Sequence, residues 1–414
     1  MKIISFCRCW DAYFNRKWLA YLFAICFFVP GCHKDMSRQT PTEHTKPNGE
    51  APAESVSAEI IRTIEESGGK IERDPDGTIV GVNLAADRTS VTDDVLRQAL
   101  LIPNLKSLLV AGGSLTCEAF AGLAKQQRLE TLFLRDVPFT DHDLETLVSS
   151  VPTLCRLTLR RLNQVGEPGL MAVLRILPLQ SLSLIEMNPT RAVIEKIAES
   201  PDLRALDLRL CSNLTQEDYK ILGTMTRLTD LKIGGFAVDD SVLEVLPGLS
   251  HLRSLSIEGT AITGEGFAKL AFDGEWVARL EILVLTRNSA IYDAGLEPLR
   301  AFCGLKRLTV SDMMVTGGFI NALAETEAIR TRLESLSLPK TYLTAQNMRV
   351  LSRFPNLKKL DLSHNVMTPE ILDAVSELKT VEQLNLTGCQ LNEAALEPVR
   401  KMQSVKTLIT DSKH

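Results

Sequence analysis

A short leucine phrase, repeated along most of the chain, constrains its fold more than any other feature. Residues 203–214 read LRALDLRLCSNL, with leucines at positions 203, 206, 208 and 214 and a cysteine at 211. The phrase recurs every 24 to 28 residues, and its central position falls at Val82, Leu108, Leu132, Leu157, Leu182, Leu206, Leu231, Leu255, Leu283, Leu308, Leu336, Leu360, Leu384 and Leu408. A period of about 25 residues predicts a solenoid, because such units bury their apolar faces only by stacking.

Each repeat carries a second, helix-like half after the leucine phrase. Residues 91–96 and 139–144 start with an apolar residue, continue with Thr-Asp and then place apolar residues at helical spacing; 238–243, 262–267 and 391–396 are similar. A Thr or Asp side chain at that point accepts amide hydrogens of the first helical turn. Each repeat is therefore predicted to contain one short strand and one helix, which makes the fold α/β.

The spacing resembles that of the ribonuclease-inhibitor-like and cysteine-containing leucine-rich repeats, and most closely that of bacterial leucine-rich-repeat lipoproteins. The resemblance covers about residues 57–414. It implies a horseshoe solenoid of about 14 repeats, with a parallel sheet on the concave face and helices on the convex face. It also implies that Cys211 and Cys389 point inward and satisfy backbone groups of the turn.

The repeat pattern is irregular in a few places. Pro189, Gly234-Gly235 and Met313 stand where a repeat prefers standard turn residues. The intervals before Leu283 and Leu336 are longer than the others, and residues 272–276 in the first of them are interpreted as a loop or a lengthened helix.

The N-terminus has the pattern of an export signal. Residues 1–31 contain a basic segment and then an apolar run at 18–30, which is shorter than the ~20 residues of a membrane span. Val-Pro-Gly-Cys at 29–32 resembles the bacterial lipobox, which implies lipidation at Cys32. His33 then favours sorting to the outer membrane or periplasmic side over the inner membrane. The alternatives are an uncleaved signal anchor and a chance cysteine in an apolar run.

The rest of the chain divides by composition. Residues 32–56 are rich in Pro, Thr, Glu, Ser and Lys, and are predicted to be a disordered tether. Residues 57–78 combine a Ser-capped helix with an Asp-Pro-Asp-Gly turn, and are predicted to form a helix and hairpin cap. Residues 79–414 form the repeat array.

Composition and motif spacing disfavour several classes of function. The net charge of −5 argues against nucleic-acid binding. Cys211 and Cys389 belong to repeats some 30 Å apart at ~4.8 Å per strand, so no disulfide joins them. The spacing of cysteines and histidines predicts no metal site and no cofactor, and no catalytic triad or phosphate-binding loop is recognisable. The chain is therefore predicted not to be an enzyme.

The outward positions of the strands are where a ligand is expected to bind. Four arginines on nearby strands form a basic patch on an acidic chain, suited to an anionic protein surface, glycan or lipid headgroup. The predicted binding residues are Thr131, Phe133, Arg135, Arg156, Arg160, Asp207 and Arg209. The alternative interpretation is ordinary solvated charge on exposed strand positions.

The favoured function is non-catalytic binding, mainly of another protein, by a membrane-anchored concave surface. One alternative is a structural component of the cell envelope that self-associates through an open C-terminal sheet edge. Another is an envelope enzyme with an active site assembled from distant residues. A resemblance to eukaryotic repeat adaptors of ubiquitin ligases is disfavoured by the lipobox-like Cys32 and by the lack of an F-box-like helical segment.

Overall fold

The leucine phrases form the strands of a parallel sheet, as predicted. The computed structural model describes residues 57–86, 89–112, 114–270 and 275–411. These residues divide between two compact units, one ending at Leu129 and the other beginning at Glu130. The proposed signal peptide, Cys32 and the tether lie outside the described residues.

The first unit starts with a helix and a hairpin, both expected from the sequence. The Ser57 side chain accepts the Ile60 amide, and Asp74 Oδ1 accepts the Thr78 amide at 2.9 Å across the hairpin turn. The hairpin strands pair antiparallel, and the following strand joins parallel. The elements are α1 (Ala58–Glu66), β1 (Lys70–Arg73), β2 (Ile79–Leu84), α2 (Asp93–Ala99), β3 (Ser107–Ala111) and a 3₁₀ helix (Cys117–Lys125).

The second unit contains twelve parallel strands that follow one another in chain order. They are β4 (Thr131–Arg135), β5 (Arg156–Arg160), β6 (Ser181–Ile185), β7 (Ala205–Arg209), β8 (Asp230–Gly234), β9 (Ser254–Glu258), β10 (Ile282–Thr286), β11 (Arg307–Ser311), β12 (Ser335–Ser337), β13 (Lys359–Asp361), β14 (Gln383–Asn385) and β15 (Thr407–Ile409). The central leucines pair with one another throughout, from Leu132 with Leu157 to Leu384 with Leu408. This register confirms the predicted repeat boundaries and the leucine-rich-repeat solenoid.

A helical segment follows each of these strands except β15. The α-helices are α3 (Asp141–Ser150), α4 (Glu167–Ile176), α5 (Arg191–Ala198), α6 (Gln216–Leu222), α7 (Gly264–Lys269), α8 (Glu275–Arg279), α9 (Asp293–Leu296), α10 (Phe319–Glu325), α11 (Glu327–Arg332), α12 (Ala345–Arg349), α13 (Pro369–Ser376) and α14 (Glu393–Arg400); Asp240–Gly248, Glu297–Ala301 and Val350–Arg353 are 3₁₀ helices. The two long intervals predicted from the sequence have a structural cause. Both long intervals, before Leu283 and Leu336, hold an additional short helix, α8 and α11.

A left-handed residue follows each strand of the second unit from β4 to β14. That residue always stands four positions after the central leucine: Asp136, Arg161, Glu186, Leu210, Gly235, Gly259, Arg287, Asp312, Lys340, His364 and Gly388. The first ten donate their backbone amide to a carbonyl of the next repeat, as Asp136 does to Arg160 at 3.1 Å. This bond offsets a conformation that costs roughly 1–2 kcal/mol for a residue with a Cβ. The turn directs the side chains at the strand ends towards those of the neighbouring repeat.

Candidate binding surface on the sheet

Strand alternation divides the sheet residues of the second unit into two sets. The leucines of the phrase are buried almost completely, whereas the residues between them face away from the core and are mostly part-exposed. We call this outward set the sheet face. All seven predicted binding residues lie on it: Thr131, Phe133 and Arg135 on β4, Arg156 and Arg160 on β5, and Asp207 and Arg209 on β7. Asp207 is nevertheless buried.

The structure brings the β4 and β5 residues together. Thr131 is directly opposite Arg156 in the sheet, and Arg135 is opposite Arg160. The Arg156 guanidinium donates through Nε to Thr131 Oγ1 at 2.8 Å and through Nη2 to Glu130 Oε2 at 2.8 Å. Its charge is therefore already paired with a carboxylate of the preceding repeat.

The other arginines of β4, β5 and the turn after β5 are also paired with carboxylates. Arg160 Nε donates to Glu186 Oε1 at 2.8 Å, and Arg161 donates two hydrogen bonds to Asp136 at 2.8 and 2.9 Å. Arg135 lies 3.7 Å from the same Asp136 carboxylate. Asp136, Arg161 and Glu186 are all left-handed turn residues, so the turn places the partner charges beside the strand arginines. Arg161 Nη1 also lies 3.6 Å from Glu186 Oε2, which joins Arg135, Asp136, Arg160, Arg161 and Glu186 into one network.

A second network surrounds Arg209. Its Nη2 donates to Asp207 Oδ2 at 2.8 Å, and its Nη1 donates to Glu258 Oε2 at 2.8 Å. Glu258 lies two strands away on β9 and also accepts a hydrogen bond from Arg287. Gly234 of β8 pairs with both Arg209 and Glu258 in the sheet. Because Gly234 has no side chain, Arg209 can reach across its strand to Glu258.

In the second network the carboxylates and the guanidinium of Arg209 stabilise each other's charged forms. Burial by itself disfavours the Asp207 carboxylate, but the charge of Arg209 and its hydrogen bonds more than offset this, so the pKa of Asp207 lies below its usual range. Burial likewise opposes the Arg209 charge, and the Asp207 and Glu258 carboxylates hold the pKa of Arg209 above its usual value. Arg209 therefore stays charged, and its guanidinium donates hydrogen bonds to carboxylates of its own chain. The sheet face is a charge-balanced surface here rather than a cationic one.

The intervening strand β6 separates the two networks. It contributes Ser181 and Ser183 to the sheet face, and its third outward position, Ile185, is buried. The predicted set of binding residues thus falls into a β4–β5 group and a β7 group. The carboxylates at 130, 136, 186 and 258 that pair with these arginines were not predicted from the sequence, in which only the glycine at 234 signals an unusual strand.

Comparisons with known proteins agree with this architecture. A leucine-rich-repeat family model matches residues 331–391, and a second leucine-rich-repeat model matches residues 248–271. No curated protein sequence matches the chain. The chain thus contains leucine-rich repeats, and its fold is a leucine-rich-repeat solenoid.

Three solved structures resemble this chain at low sequence identity. A chain of the yeast Rad7–Elc1 complex is 19% identical with a TM-score of 0.52, over 77% of this chain and 77% of that one. An internalin (inlF) from Listeria monocytogenes is 20% identical with a TM-score of 0.43, over 79% and 85% of the respective chains. The TLR13–ssRNA13 complex contributes a chain 18% identical with a TM-score of 0.44, over 76% of this chain and 47% of that one.

Two further observations concern the described residues. No helix among them is both long and apolar enough to cross a membrane. Within the same ranges, no group of three or more histidine, cysteine, aspartate or glutamate side chains is arranged to hold a metal ion. Cys211, Cys303 and Cys389 of the described residues are free thiols.

Proposed function

We propose that this protein is a non-catalytic binding scaffold that recognises another protein through the sheet face of its second unit. One observation carries the proposal: the inward positions repeat the same aliphatic residue, whereas the outward positions differ from strand to strand. A rigid sheet with independently variable outward side chains suits recognition by surface complementarity. The yeast chain with the same fold was solved in a complex of proteins, and the proposal extends that use to this chain.

The ion pairs indicate what kind of partner fits. The four arginines predicted as binding residues, Arg135, Arg156, Arg160 and Arg209, are each paired with a carboxylate of their own chain, so an anion would have to displace an existing partner there. A protein surface that carries both donors and acceptors can instead bind the network as it stands, since little side-chain entropy is lost when the groups are already ordered. We therefore propose a partner of mixed charge rather than a purely anionic ligand.

A single pair of variants tests this site. Arg156 bonds to Glu130 of the preceding repeat on the sheet face, and Arg175 bonds at 2.7 Å to Glu145 of the preceding repeat on the helices. Arg156→Ala and Arg175→Ala each remove one half-exposed inter-repeat ion pair, worth about 0–1 kcal/mol of stability. The full-length protein and both variants would be used to capture partners from envelope extract.

The expected result is a partner retained by the wild type and by Arg175→Ala but lost or strongly reduced with Arg156→Ala. Equal retention by all three proteins would place binding away from β4 and β5. Loss with both variants would indicate a stability effect, which thermal unfolding of the same samples would show directly.

We also propose that the scaffold is exported and anchored by a lipid on Cys32, at the outer-membrane or periplasmic side of a bacterial envelope. The lipobox-like sequence at 29–32 supports this proposal. Metabolic labelling with a radioactive fatty acid, comparing the wild type with Cys32→Ala, tests it. Label that depends on Cys32 is expected; an unlabelled protein with an intact Met1 would contradict it.

A further inference from the structure

A row of exposed apolar side chains lies along one edge of the second unit. Seven large apolar side chains are exposed in the described part of the chain, and four of them belong to the consecutive repeats of β10 to β13. They are Tyr292 (56% exposed), Met314 (51%), Tyr342 (62%) and Val366 (84%). All four lie between the end of a strand and the start of the next helix. We call these four residues the apolar edge.

The repeat register aligns three of these residues. Met314, Tyr342 and Val366 each stand six positions after a central leucine, and those leucines pair directly across β11, β12 and β13. Tyr292 immediately precedes Asp293, which accepts a hydrogen bond from the Thr316 amide of the next repeat. Neighbouring strands are ~4.8 Å apart, so Met314, Tyr342 and Val366 follow one another along the edge, and Tyr292 belongs to the adjoining repeat of β10.

Buried hydrogen bonds fix the backbone beneath the apolar edge. The Tyr342 amide donates to Val315 O at 2.8 Å, which joins the repeats of β11 and β12. The Thr341 amide donates to Asn365 Oδ1 at 2.7 Å, which joins the repeats of β12 and β13, and both side chains are buried. Exposed aromatic and aliphatic groups on a fixed backbone lose little entropy on binding, and Tyr is enriched at binding hot spots.

Area and charge limit what covers this edge. The four exposed side chains offer roughly 300–400 Å² of apolar surface, well below the ~800 Å² per partner of a standard interface. A globular second copy would therefore find too little contact here for a stable dimer. Among the charged groups beside the row, Lys340 and Asp312 lie 3.7 Å apart and offset each other, and the Asp293 carboxylate accepts hydrogen bonds from Thr316 and Phe319 of the next repeat. The edge therefore selects neither sign of charge.

We propose that the apolar edge docks a short, uncharged apolar segment of a partner protein. This surface is separate from the sheet face, so it goes beyond the function proposed above and neither depends on the other. Single exposed apolar residues are ordinary, whereas the largest contiguous apolar patch of a domain often serves in binding. The segment would cover the row of Tyr292, Met314, Tyr342 and Val366.

Peptide display on the full-length protein tests this proposal. A library of random twelve-residue peptides would be selected against the immobilised wild type, and the enriched peptides would be synthesised and titrated by fluorescence anisotropy. We expect enrichment of uncharged sequences rich in Leu, Ile, Phe and Trp. The double variant Tyr342→Ser/Val366→Ser is expected to weaken their binding at least tenfold.

Phe236→Ser is the matched control, because Phe236 is 75% exposed but lies outside the apolar edge, after β8. Its peptide affinity is expected to match that of the wild type. Selection of charged sequences, failure of any peptide to enrich, or equal sensitivity to Phe236→Ser would overturn the proposal. So would a dimer in sedimentation velocity that the Tyr342→Ser/Val366→Ser variant abolishes, since the occupant would then be a second copy.

Discussion

At the scale of single residues, the inward-pointing side chain after a strand forms hydrogen bonds with backbone groups of the preceding repeat. Cys211 Sγ donates to Leu184 O at 3.0 Å, and Cys389 Sγ donates to Leu362 O at 3.3 Å. Asn288 does more: its Nδ2 donates to Ile257 O at 3.1 Å, and its Oδ1 accepts from the buried Thr260. This confirms the inward, backbone-bonding position expected from the leucine-rich-repeat resemblance.

Asn288→Ala is expected to lower the free energy of unfolding by about 2–4 kcal/mol, because it leaves a buried carbonyl and a buried amide without partners. Cys211→Ala is expected to cost about 1 kcal/mol, since only one weak hydrogen bond and a small volume are lost. Urea unfolding of both variants measures these values. Asn163→Ala, on an exposed residue, should stay within about 0.5 kcal/mol of the wild type. Equal costs at Asn288 and Asn163 would contradict this account.

The thiol of Cys211 gives a pH-dependent prediction. Burial raises its pKa from 9.0 to about 12 in the folded protein. Between these values the unfolded chain releases the thiol proton while the folded protein keeps it. Stability is therefore fully present below pH 9 and falls as the pH rises, by up to about 1.4 kcal/mol per pH unit for this group.

The decrease in unfolding free energy between pH 8.5 and 10.5 measures this contribution. Cys211→Ala is expected to reduce this slope by up to about 1.4 kcal/mol per pH unit, which is the contribution of one titrating thiol. An identical slope in the variant and the wild type would show that Cys211 ionises equally in both states.

At the scale of elements, helix starts are held by the preceding repeat. Asp240 Oδ1 accepts the Thr263 amide at 2.7 Å at the start of α7, and Asp293 does the same for Thr316. Asp141 Oδ1 accepts the amides of Gly166 at 2.7 Å and Gly169 at 3.0 Å at the start of α4. The Thr140-Asp141 pair therefore serves two repeats: Thr140 caps its own helix α3, and Asp141 binds the start of the next helix.

Asp141→Ala is expected to destabilise the protein by about 1–2 kcal/mol, because Gly166 has no side chain with which to cap α4. Hydrogen exchange should show faster exchange of the first amides of α4. Asp94→Ala removes an exposed aspartate from the first turn of α2, where it pairs only with Arg97, and should cost less than about 0.5 kcal/mol. Unchanged exchange at α4 in Asp141→Ala would disprove the inter-repeat cap.

At the scale of the whole molecule, stability in a solenoid is close to a sum of repeat and interface contributions. The Arg209–Glu258 ion pair departs from this rule within the second unit, because it joins β7 to β9 rather than to the adjacent strand. The glycine of β8 allows that contact. A Cβ at Gly234 would lie 2.5 Å from Glu258 O, so any side chain there must push β9 away.

Gly234→Ala is expected to lower the free energy of unfolding by about 2–4 kcal/mol, through this clash and the weakening of a nearly buried ion pair. Gly259→Ala is the matched control: its φ is +60°, but no atom lies within 4 Å of the added Cβ. Its cost should be only the roughly 1 kcal/mol of a left-handed residue with a side chain. Urea unfolding measures both, and a larger loss at Gly259 would refute the role given to Gly234.

Much of the fold and part of the candidate site were predictable from the sequence. The spacing of leucines predicted every strand of the array, because alternation and period determine which side chains are buried. It also placed Arg135, Arg156, Arg160 and Arg209 on the outward side. The type of helix was less predictable: Asp240–Gly248 is 3₁₀ and contains Pro247, which lacks the amide that a longer α-helix needs.

The sequence by itself determined the repeat, its register and the direction of each strand residue, since these depend only on local periodicity. The tertiary structure alone decided what the sheet face presents. Arg160 and Arg209 are paired because carboxylates 26 and 49 residues away in the sequence lie within hydrogen-bonding distance. A left-handed turn places the first carboxylate, and the glycine of β8 allows the contact with the second. Likewise, Met314, Tyr342 and Val366 become one surface only because stacking places equivalent positions of successive repeats side by side.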